Sequence, residues 1–511
     1  MRSMRVSLWS KSFFESPVNS TQINDLFKKD KFKGLDWSGL PPISRYEAAT
    51  PEQLEELYNQ QRQDPSYQSF LQKTNVTVFG TIDDHDMGMN NADETYEFKV
   101  ESAIKFVEFM GISSSDVMYQ RAKQGLGVYG IKVFDFDYDT GRNYLVDDKE
   151  AGIDPDIVGY ENNERIPYKS RRFAIIVLDV RSFKTPWGNG LDAYRANYKG
   201  DFLGERQWKW LKAVLQNSNA EVNIIVNGLQ VHPFRHPNSN LAENWSQFPT
   251  SRQRLYDTIL QSGAKAPILI SGDVHMAQLM RKDCWLRNRD ESDTTVLPLI
   301  EFTTSGMTHA WGTCFASTEK FHTTWKYYPM HFLSKTAMSL AHWIMPMPDL
   351  INSHNVQSFS AATEANTYEN GGGEGAKQGK QYSLDLNFGE VEFDWDNGTV
   401  TLRALGKDPE MPPLLSASYK IQQLAGSMVM PGAAESLSSH AERSIWLRDG
   451  NLVDGKYICV NYNGSARVPH IVAGIIIETL WIMILLTSPL LLTGFIIRWK
   501  LRKNHKKIKE Q

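Results

Sequence analysis

Short apolar runs alternate with amphipathic segments through the middle of the chain. Three continuous apolar runs end in polar residues, at 173–178, 224–226 and 267–270. Between them, 205–215 and 251–260 carry apolar residues at helical spacing. Buried strands that alternate with helices predict an α/β fold. Ligands in such folds bind beyond the C-terminal ends of the strands, so the polar residues there are the candidates for chemistry.

Other segments have patterns typical of hairpins and helices. Aromatic and aspartate residues alternate over 134–139, and apolar residues alternate on both sides of Asn397-Gly398, which is a strong short-range hairpin pattern. A helix is predicted over 51–62, with Thr50 as its N-cap and a proline at its first position. Another helix is predicted over 98–110.

The C-terminal end combines a long uncharged segment with a basic tail. Residues 479–497 contain no charged side chain, and apolar residues extend back to Ile471. A helix over 479–497 would span about 29 Å, close to the hydrocarbon thickness of a bilayer. Residues 498–511 hold seven Lys or Arg residues. We therefore predict a transmembrane helix over 471–497, with the lipid bilayer as a partner and the basic tail in the cytoplasm.

This orientation predicts a single-pass membrane protein whose main domain is lumenal or extracellular. Five Asn-x-Ser/Thr sequences agree with a glycoprotein; they begin at Asn19, Asn75, Asn244, Asn397 and Asn463. The N-terminus has no apolar stretch of signal-peptide length, so a tail-anchored protein with a cytosolic domain is the alternative. The chain has 55 basic and 59 acidic residues, and this balance gives no indication of a nucleic-acid-binding surface.

Two clusters of carboxylate and imidazole follow predicted strands. The first is 83–86, after a predicted strand over 75–79, and the second is Asp273-Val274-His275, after 267–270. Such side chains are the ligands of Zn²⁺, Mn²⁺ and Fe at hydrolytic sites. If the strand continues, Asp273 and His275 point the same way into one metal pocket. Either cluster alone is equally typical of a solvated acidic loop, but two of them in one α/β pattern favour a metal site.

Six segments resemble, in order and spacing, the motifs of PhoD-like alkaline phosphatases, within the calcineurin-like metallophosphoesterases. They are IDDHDMGMN at 82–90, LDVR at 178–181, LGERQWKWL at 203–211, QV at 230–231, SGDVH at 271–275 and TSGMT at 304–308. Ile82 stands where the family usually has Trp. The resemblance covers roughly residues 40–405.

The resemblance implies a four-layer α/β/β/α sandwich and a metal-dependent phosphoric ester hydrolase. It implies a di-metal centre of divalent or trivalent ions, with the identity open among Fe, Zn, Mn and Ca. Phosphate mono- or diesters would be hydrolysed by metal-activated hydroxide. The metal ligands carried over are Asp84, Asp273, His275 and, more weakly, Gln230.

Two further residues are implied to act on the substrate. His85 would hydrogen-bond the phosphate or protonate the leaving oxygen, and Arg181 would stabilise the phosphate as a fork-shaped cation. For Arg181, a salt bridge to Asp179 or to another neighbour is an equally good interpretation.

The chain departs from the family pattern before Thr74. We find neither a G-S-C-N-like segment nor an L-G-D-x-x-Y segment, whose Asp would bridge two metal ions. The sandwich is therefore expected to lack its first strands, as in an N-terminally truncated form without the first metal ligands. A catalytically inactive, membrane-anchored, phosphatase-like binding protein is the alternative function.

Together with the resemblance, the patterns along the chain predict six regions. They are a loop and helix region at 1–73, a metallophosphoesterase core at 74–310, a C-terminal part of the phosphatase domain with a Gly-rich loop and a hairpin at 311–410, a juxtamembrane region at 411–470, a transmembrane helix at 471–497 and a basic cytoplasmic tail at 498–511.

Overall fold

The chain folds into two β-sheets with helices packed against them. The computed structural model describes residues 3–8, 49–73, 78–146 except 138, 152–156, 171–233 except 190, 191 and 194, 239, 243–310 except 291, 308 and 309, 382–429 except 408–410, and 453–461.

The strands of the described residues form one large and one small sheet. In chain order they are β1 Ser3–Leu8, β2 Gly130–Asp137, β3 Arg142–Leu145, β4 Arg172–Leu178, β5 Val222–Asn227, β6 Pro267–Ser271, β7 Ala277–Leu286, β8 Leu297–Thr304, β9 Tyr382–Ser383, β10 Phe388–Asp394, β11 Thr399–Leu405, β12 Leu415–Lys420 and β13 Tyr457–Asn461. The large sheet has the order β13-β7-β8-β6-β5-β4-β2-β3, with β9 paired to β7, and the small sheet has the order β1-β10-β11-β12.

The large sheet is mixed, with a parallel centre and antiparallel edges. Strands β4, β5, β6 and β8 run parallel to one another. Strands β2 and β3 on one side, and β7 and β13 on the other, pair antiparallel. The parallel centre fits the continuous apolar runs in the sequence, because its strands are covered on both faces.

The helices flank this sheet. In chain order they are α1 Pro51–Gln63, α2 Pro65–Lys73, α3 Asp84–Met87, α4 Lys99–Phe109, α5 Val117–Lys123, α6 Gly204–Asn217, α7 Pro249–Gln261 and α8 Ile421–Leu424. Helix α1 begins as the sequence predicts, because the Thr50 hydroxyl accepts from the N–H of Gln53 and the Gln53 amide accepts from the N–H of Thr50.

Successive side chains of β4 point to opposite faces of the large sheet and pack into different parts of the core. Ile176 packs in one cluster with Trp208 of α6, so α6 and α7 cover this face. Phe173 points to the other face, where its ring stacks on Phe393 of the small sheet at 4.7 Å. Near the end of β4, Val177 packs among the helices α1, α4 and α5. The sheet therefore brings three groups of elements to the carboxyl end of its parallel strands.

The predicted α/β class is confirmed, as a mixed α/β fold with a large mixed sheet, but the predicted transmembrane helix is not part of it. Three of the four expected layers lie within the described residues: helices, large sheet and small sheet. Across the described ranges, we find no helix of the length and apolar character that a membrane span needs. Helix α6, at 14 residues, spans only about 21 Å. Residues 471–497 and 498–511 lie outside these ranges, and the prediction of a single-pass membrane protein, in either orientation, is corrected accordingly.

Local patterns in the sequence predicted several elements well. The hairpins β2–β3 and β10–β11, the helices α4, α6 and α7, and the strands β4 to β6 are confirmed. The N-terminal segment differs, because Ser3–Leu8 pairs with β10 where no strand was predicted. Residues 78–80 are irregular and 74–77 lie outside the described residues, as does the Gly-rich loop. The six predicted domain boundaries stay predictions.

A disulfide ties the last described strand to the large sheet. Cys284 of β7 and Cys459 of β13 lie opposite each other and are bonded. The Asp257 carboxylate of α7 accepts from the backbone N–H groups of Lys456 and Tyr457. Strand β13 is therefore held both by a covalent bond and by a helix that covers the sheet.

The predicted glycosylation positions differ in their surroundings. Asn244 is 1% exposed, and its side-chain oxygen accepts from the backbone N–H of Ser246. A glycan does not fit on Asn244 in this fold. Asn397 lies exposed in the turn between β10 and β11, whereas Asn19, Asn75 and Asn463 lie outside the described residues.

Candidate active site

Four loops meet at the carboxyl end of the parallel strands. Three of them follow β4, β5 and β6, which are neighbours in the large sheet. The fourth, 80–88, approaches the β5 loop so closely that a Cβ on Gly228 would lie 3.0 Å from Asp83 Oδ1. A glycine at 228 therefore permits this contact.

Three carboxylates form a compact group at this edge. Oxygen atoms of Asp83, Asp84 and Asp273 all lie within 4.8 Å of one another. The side chain of Asp84 is only 5% exposed, whereas those of Asp83 and Asp273 are 24% and 21% exposed, so the group is reached from solvent. Carboxylate oxygens at this spacing fit a hard divalent ion such as Mn²⁺ or Ca²⁺.

The short helix α3 holds the first two carboxylates. Asp83 caps this helix, and its backbone N–H donates to Asp86 Oδ2 at 3.1 Å. The helix ends at Gly88, which has a φ of +116°, and a Cβ there would lie 2.6 Å from the Tyr96 hydroxyl oxygen. Only glycine fits that position. The spacing of the D-D-H-D-x-G sequence thus follows from a one-turn helix with a left-handed end.

A buried turn after β4 directs Arg181 toward the group. Asp179 Oδ1 accepts from the backbone N–H groups of Arg181 and Ser182, at 2.9 and 2.8 Å. Its Oδ2 accepts from the N–H of Val128 at 2.7 Å. Gln207 of α6 accepts from the Asp179 N–H and donates to the Asp179 carbonyl. Two of the motif residues, Asp179 and Gln207, therefore position a third.

The Arg181 guanidinium is fully buried and faces four carboxylates. Its Nε donates to Asp83 Oδ1 at 2.8 Å, and its Nη1 donates to Glu243 Oε2 at 2.6 Å. Its Nη2 lies 2.6 Å from Asp83, 3.9 Å from Asp84 and 3.5 Å from Asp273. Nη2 forms no hydrogen bond of good geometry to any residue that the structure describes. The salt-bridge interpretation of Arg181 is thus observed, with Asp83 and Glu243.

Glu243 is a site residue that the sequence reasoning missed. Its side chain is 3% exposed and contacts Lys184 Nζ at 2.8 Å in addition to Arg181. The indole N–H of Trp187 also donates to it. Lys184 in turn donates to the carbonyl of Asn91, in the loop that follows α3. No motif marks Glu243, because its partners lie 56 to 62 residues away in the sequence.

The electrostatics of the carboxylate group favour added positive charge. Burial raises the pKa of Asp273 well above its usual value, and the negative charges of Asp83 and Glu243 add to this effect. Burial also raises the pKa of Asp83, against the opposing charge of Arg181. Burial would raise the pKa of Asp84 as well, but the charges of Arg181 and His85 outweigh it and hold this pKa below its usual value. Ionisation of all three groups together thus calls for a further cation.

The histidines occupy different places. His85 is half-buried on α3, and its charge acts on Asp84. Asp273 and His275 lie in an irregular loop with φ of +68° and +51°, not in an extension of β6 as predicted. His275 is not one of the described residues whose donor atoms lie within 4.8 Å of one another. The structure therefore brings Asp84, Asp273 and Arg181 together, adds Asp83, and leaves His275 beside the group.

Comparison with protein families shows a similarity over part of the chain. Residues 170–332 match the family model of PhoD-like phosphatases. This segment is therefore PhoD-like. This confirms the resemblance drawn from the motifs. Five of the six motifs fall inside 170–332, and the 82–90 motif lies before it.

The solved structures that resemble the chain are distant. The structure of PhoD is 13% identical with a TM-score of 0.34, and the match covers 70% of this chain and 58% of that chain. "GAP50 the anchor in the inner membrane complex of Plasmodium" is 10% identical with a TM-score of 0.23, covering 61% and 60%. The chain thus spans less than two thirds of either relative. No curated protein matches it.

Within the PhoD-like domain, Gln230 has an acceptor that no described residue uses. Its side chain is 1% exposed, and its Nε2 donates to Gln278 Oε1 at 3.1 Å and to Thr303 Oγ1 at 2.9 Å. Its Oε1 has no hydrogen-bond partner among the described residues. An amide oxygen left in this way is suited to a cation, and the weaker ligand role of Gln230 stays a prediction.

A second buried carboxylate in this domain links two of the loops. Glu301 Oε1 accepts from the backbone N–H of Val231 and from Ser271 Oγ, both at 2.7 Å. Its Oε2 accepts from the N–H of His232 at 2.6 Å. Burial raises the pKa of Glu301 to about 7, although these hydrogen bonds oppose the shift. Sequence reasoning missed Glu301, because it lies inside an apolar strand.

Proposed function

We propose that this chain is a metal-dependent phosphoesterase that hydrolyses phosphate mono- or diesters at the group of Asp83, Asp84 and Asp273. The observation that carries the proposal is this group itself, which joins carboxylates of two distant segments beside a buried arginine. The PhoD-like domain supplies one of these carboxylates and the arginine. Phosphate esters are accordingly the substrate class that we propose.

The three carboxylates would hold the metal, with Gln230 and His275 as further candidate ligands. A metal ion held there would polarise the phosphoryl group and make a water more acidic at neutral pH. The helix α3 and the irregular loop 272–276 fix the positions of Asp84 and Asp273, so little rearrangement is needed to bind an ion. Partial exposure of Asp83 and Asp273 leaves an approach for substrate.

Arg181 would bind the substrate phosphate. Its Nη2 faces the three carboxylates and carries N–H groups that no described acceptor meets with good geometry. A phosphoryl oxygen at the group would accept from them, and charge-assisted hydrogen bonds of this kind are strong. The Asp179 turn and Glu243 hold the guanidinium in this orientation. The guanidinium is thus already oriented toward the carboxylate group where the phosphate would bind.

His85 would act on the leaving oxygen. It follows Asp84 on α3, so its ring is carried by the same rigid turn as the proposed metal ligands. A protonated imidazole near the phosphoryl group can donate its proton to the departing alkoxide. The charge of His85 acts on Asp84, which agrees with a position beside the group.

One observation favours a second candidate, a phosphate-ester-binding protein without turnover. Arg181 contacts every carboxylate of the group, so part of the negative charge is already balanced. A site of this kind could bind a phosphate ester through Arg181 and lack the metal that hydrolysis requires. The two candidates differ in metal dependence and turnover.

The test is hydrolysis of p-nitrophenyl phosphate and bis-p-nitrophenyl phosphate by the full chain, before and after removal of metal and with Mn²⁺ restored. We expect Mn²⁺-dependent turnover of at least one ester, and its loss in Asp84→Asn. Asp192→Asn is the control, since that carboxylate is 72% exposed and its ion-pair partner, Arg195, is not part of the proposed site. Binding of inorganic phosphate without any turnover would overturn the proposal and support the second candidate.

A further inference from the structure

We infer that the site takes a single divalent ion per chain, and that Arg181 supplies a fixed positive charge in place of a second ion. The inference rests on the proposed function and specifies its metal centre. It departs from the two ions that the family resemblance implies.

The first argument is the charge of the site. Among the described residues, four carboxylates face it, from Asp83, Asp84, Asp273 and Glu243. Two buried cations, Arg181 and Lys184, are paired with them. Four negative and two positive charges leave a net charge of −2 when all are ionised. Asp86 and His85 of α3 add one negative and one positive charge, so the balance stays at −2, which one divalent ion neutralises. A second divalent ion would leave +2 beside the buried Arg181 and Lys184 before any anion binds, which is unfavourable.

The second argument is space and contact. Arg181 Nη2 lies within 3.9 Å of an oxygen of Asp83, Asp84 and Asp273. Two ions in a di-metal centre sit roughly 3.5–4 Å apart and share ligands. A second ion would compete with Nη2 for the same oxygens. The described residues contain one group of three or more clustered donor side chains, and that group is this one.

The third argument is that the Arg181 side chain is fixed in position. The guanidinium is 0% exposed, its Nη1 is bound by Glu243, and its backbone N–H is bound by Asp179. A guanidinium also keeps its proton throughout the accessible pH range. Its positive charge is therefore a permanent part of the site and is not displaced as a bound ion would be.

The experiment is a titration of the metal-free full chain with Mn²⁺ by calorimetry, with the bound ion examined by electron paramagnetic resonance. We expect one Mn²⁺ per chain and the six-line spectrum of an isolated ion. Two ions with an exchange-coupled spectrum would overturn the inference and leave the proposed function standing. Absence of Mn²⁺ binding would overturn both.

Substitutions of Arg181 and Lys184 distinguish the effect of positive charge on Mn²⁺ affinity from the effect of side-chain shape. Arg181→Gln should bind the first Mn²⁺ at least about tenfold more tightly than wild type, because a competing cation is removed. Arg181→Lys keeps the charge and should stay within about threefold of wild type. Lys184→Gln tests the same charge effect without touching the three carboxylates, and we expect a smaller increase in Mn²⁺ affinity. This variant carries the test if Arg181→Gln does not fold. Unchanged or weaker binding in folded Arg181→Gln, or in Lys184→Gln, would overturn the inference.

Discussion

Arg181 Nη2 lies 2.6 Å from Asp83 Oδ1, although 98 residues separate the two in the sequence. Asp83 lies before the segment that matches the PhoD-like family, and Arg181 lies inside it. The contact therefore joins the D-D-H-D motif and the PhoD-like segment into one site. Arg181 is buried, so loss of Asp83 would leave Glu243 as the remaining hydrogen-bonded partner of its guanidinium.

Replacing Asp273 by Asn should remove metal and activity together. Asn tolerates the left-handed backbone at this position, where φ is +68°, so the loop keeps its shape. We expect Mn²⁺ affinity to fall by on the order of 100-fold, at least the loss seen when residues around a metal site are removed. Calorimetry and turnover measured on the same sample check this. Wild-type affinity in the variant would contradict the assignment of Asp273.

His275→Ala tests the other residue of that loop. The structure leaves His275 outside the compact carboxylate group. Because we propose His275 as a further ligand, we expect metal content and activity to fall in parallel, as for Asp273→Asn. Full metal content with full activity would remove His275 from the site.

His85→Ala should lower turnover much more than metal content. Loss of a general acid reduces turnover by about 10²- to 10⁴-fold, whereas the carboxylates of Asp83, Asp84 and Asp273 stay in place. The check is the turnover number of an alkyl phosphate such as glycerol phosphate, whose alkoxide leaving group requires a proton, compared with bound Mn²⁺ measured by elemental analysis. A proportional fall in both quantities would show that His85 acts on the metal instead.

Local elements of this fold are predictable because their causes are local. Thr50 and Pro51 begin a helix, and Asn397-Gly398 turns a hairpin, whatever the rest of the chain does. The apolar runs of β4, β5 and β6 are visible because both faces of these strands are buried. The polar residues after these strands could thus be predicted to share one edge of a sheet.

The details of the site depend on contacts that sequence spacing does not show. Glu243 becomes a partner of Arg181 only when a loop 62 residues away folds back over the β4 turn. Extension of β6 through Asp273 was wrong, because the backbone turns left-handed there. Strand β1 is short, and among the described strands it pairs with β10, more than 380 residues further along the chain.

Glu301 should make stability depend on pH. Its pKa is about 7 in the folded protein, against 4.5 ordinarily. Between these values the folded protein keeps a proton that the unfolded chain has lost, so raising the pH favours unfolding. We expect the contribution of Glu301 to the free energy of unfolding to fall by about 3 kcal/mol from pH 4.5 to pH 7, and to change little above that.

Urea unfolding of wild type and Glu301→Gln at pH 5 and pH 8 measures this effect. Gln lowers stability at every pH, because it cannot accept from Val231, His232 and Ser271 all at once. The informative quantity is therefore the difference between the two pH values. Equal pH dependence in the two proteins would show that Glu301 does not titrate in this range.

The disulfide should contribute strongly to stability. Cys284 and Cys459 are 175 residues apart, and closing a loop of that length restricts the unfolded chain by about 5 kcal/mol. We expect the Cys284→Ser, Cys459→Ser double variant to unfold at lower urea concentration by a corresponding amount. A reductant should destabilise wild type and leave the double variant unchanged; an equal response of both would contradict the pairing.

The most direct test of the proposed function is turnover of p-nitrophenyl phosphate and bis-p-nitrophenyl phosphate by the full chain in four samples: metal-free and Mn²⁺-loaded wild type, and the same two states of Asp273→Asn. The arrangement of Asp83, Asp84, Asp273 and Arg181 predicts turnover in Mn²⁺-loaded wild type alone. Absence of turnover in that sample, or equal turnover in Mn²⁺-loaded Asp273→Asn, would contradict a metal-dependent phosphoesterase at this site.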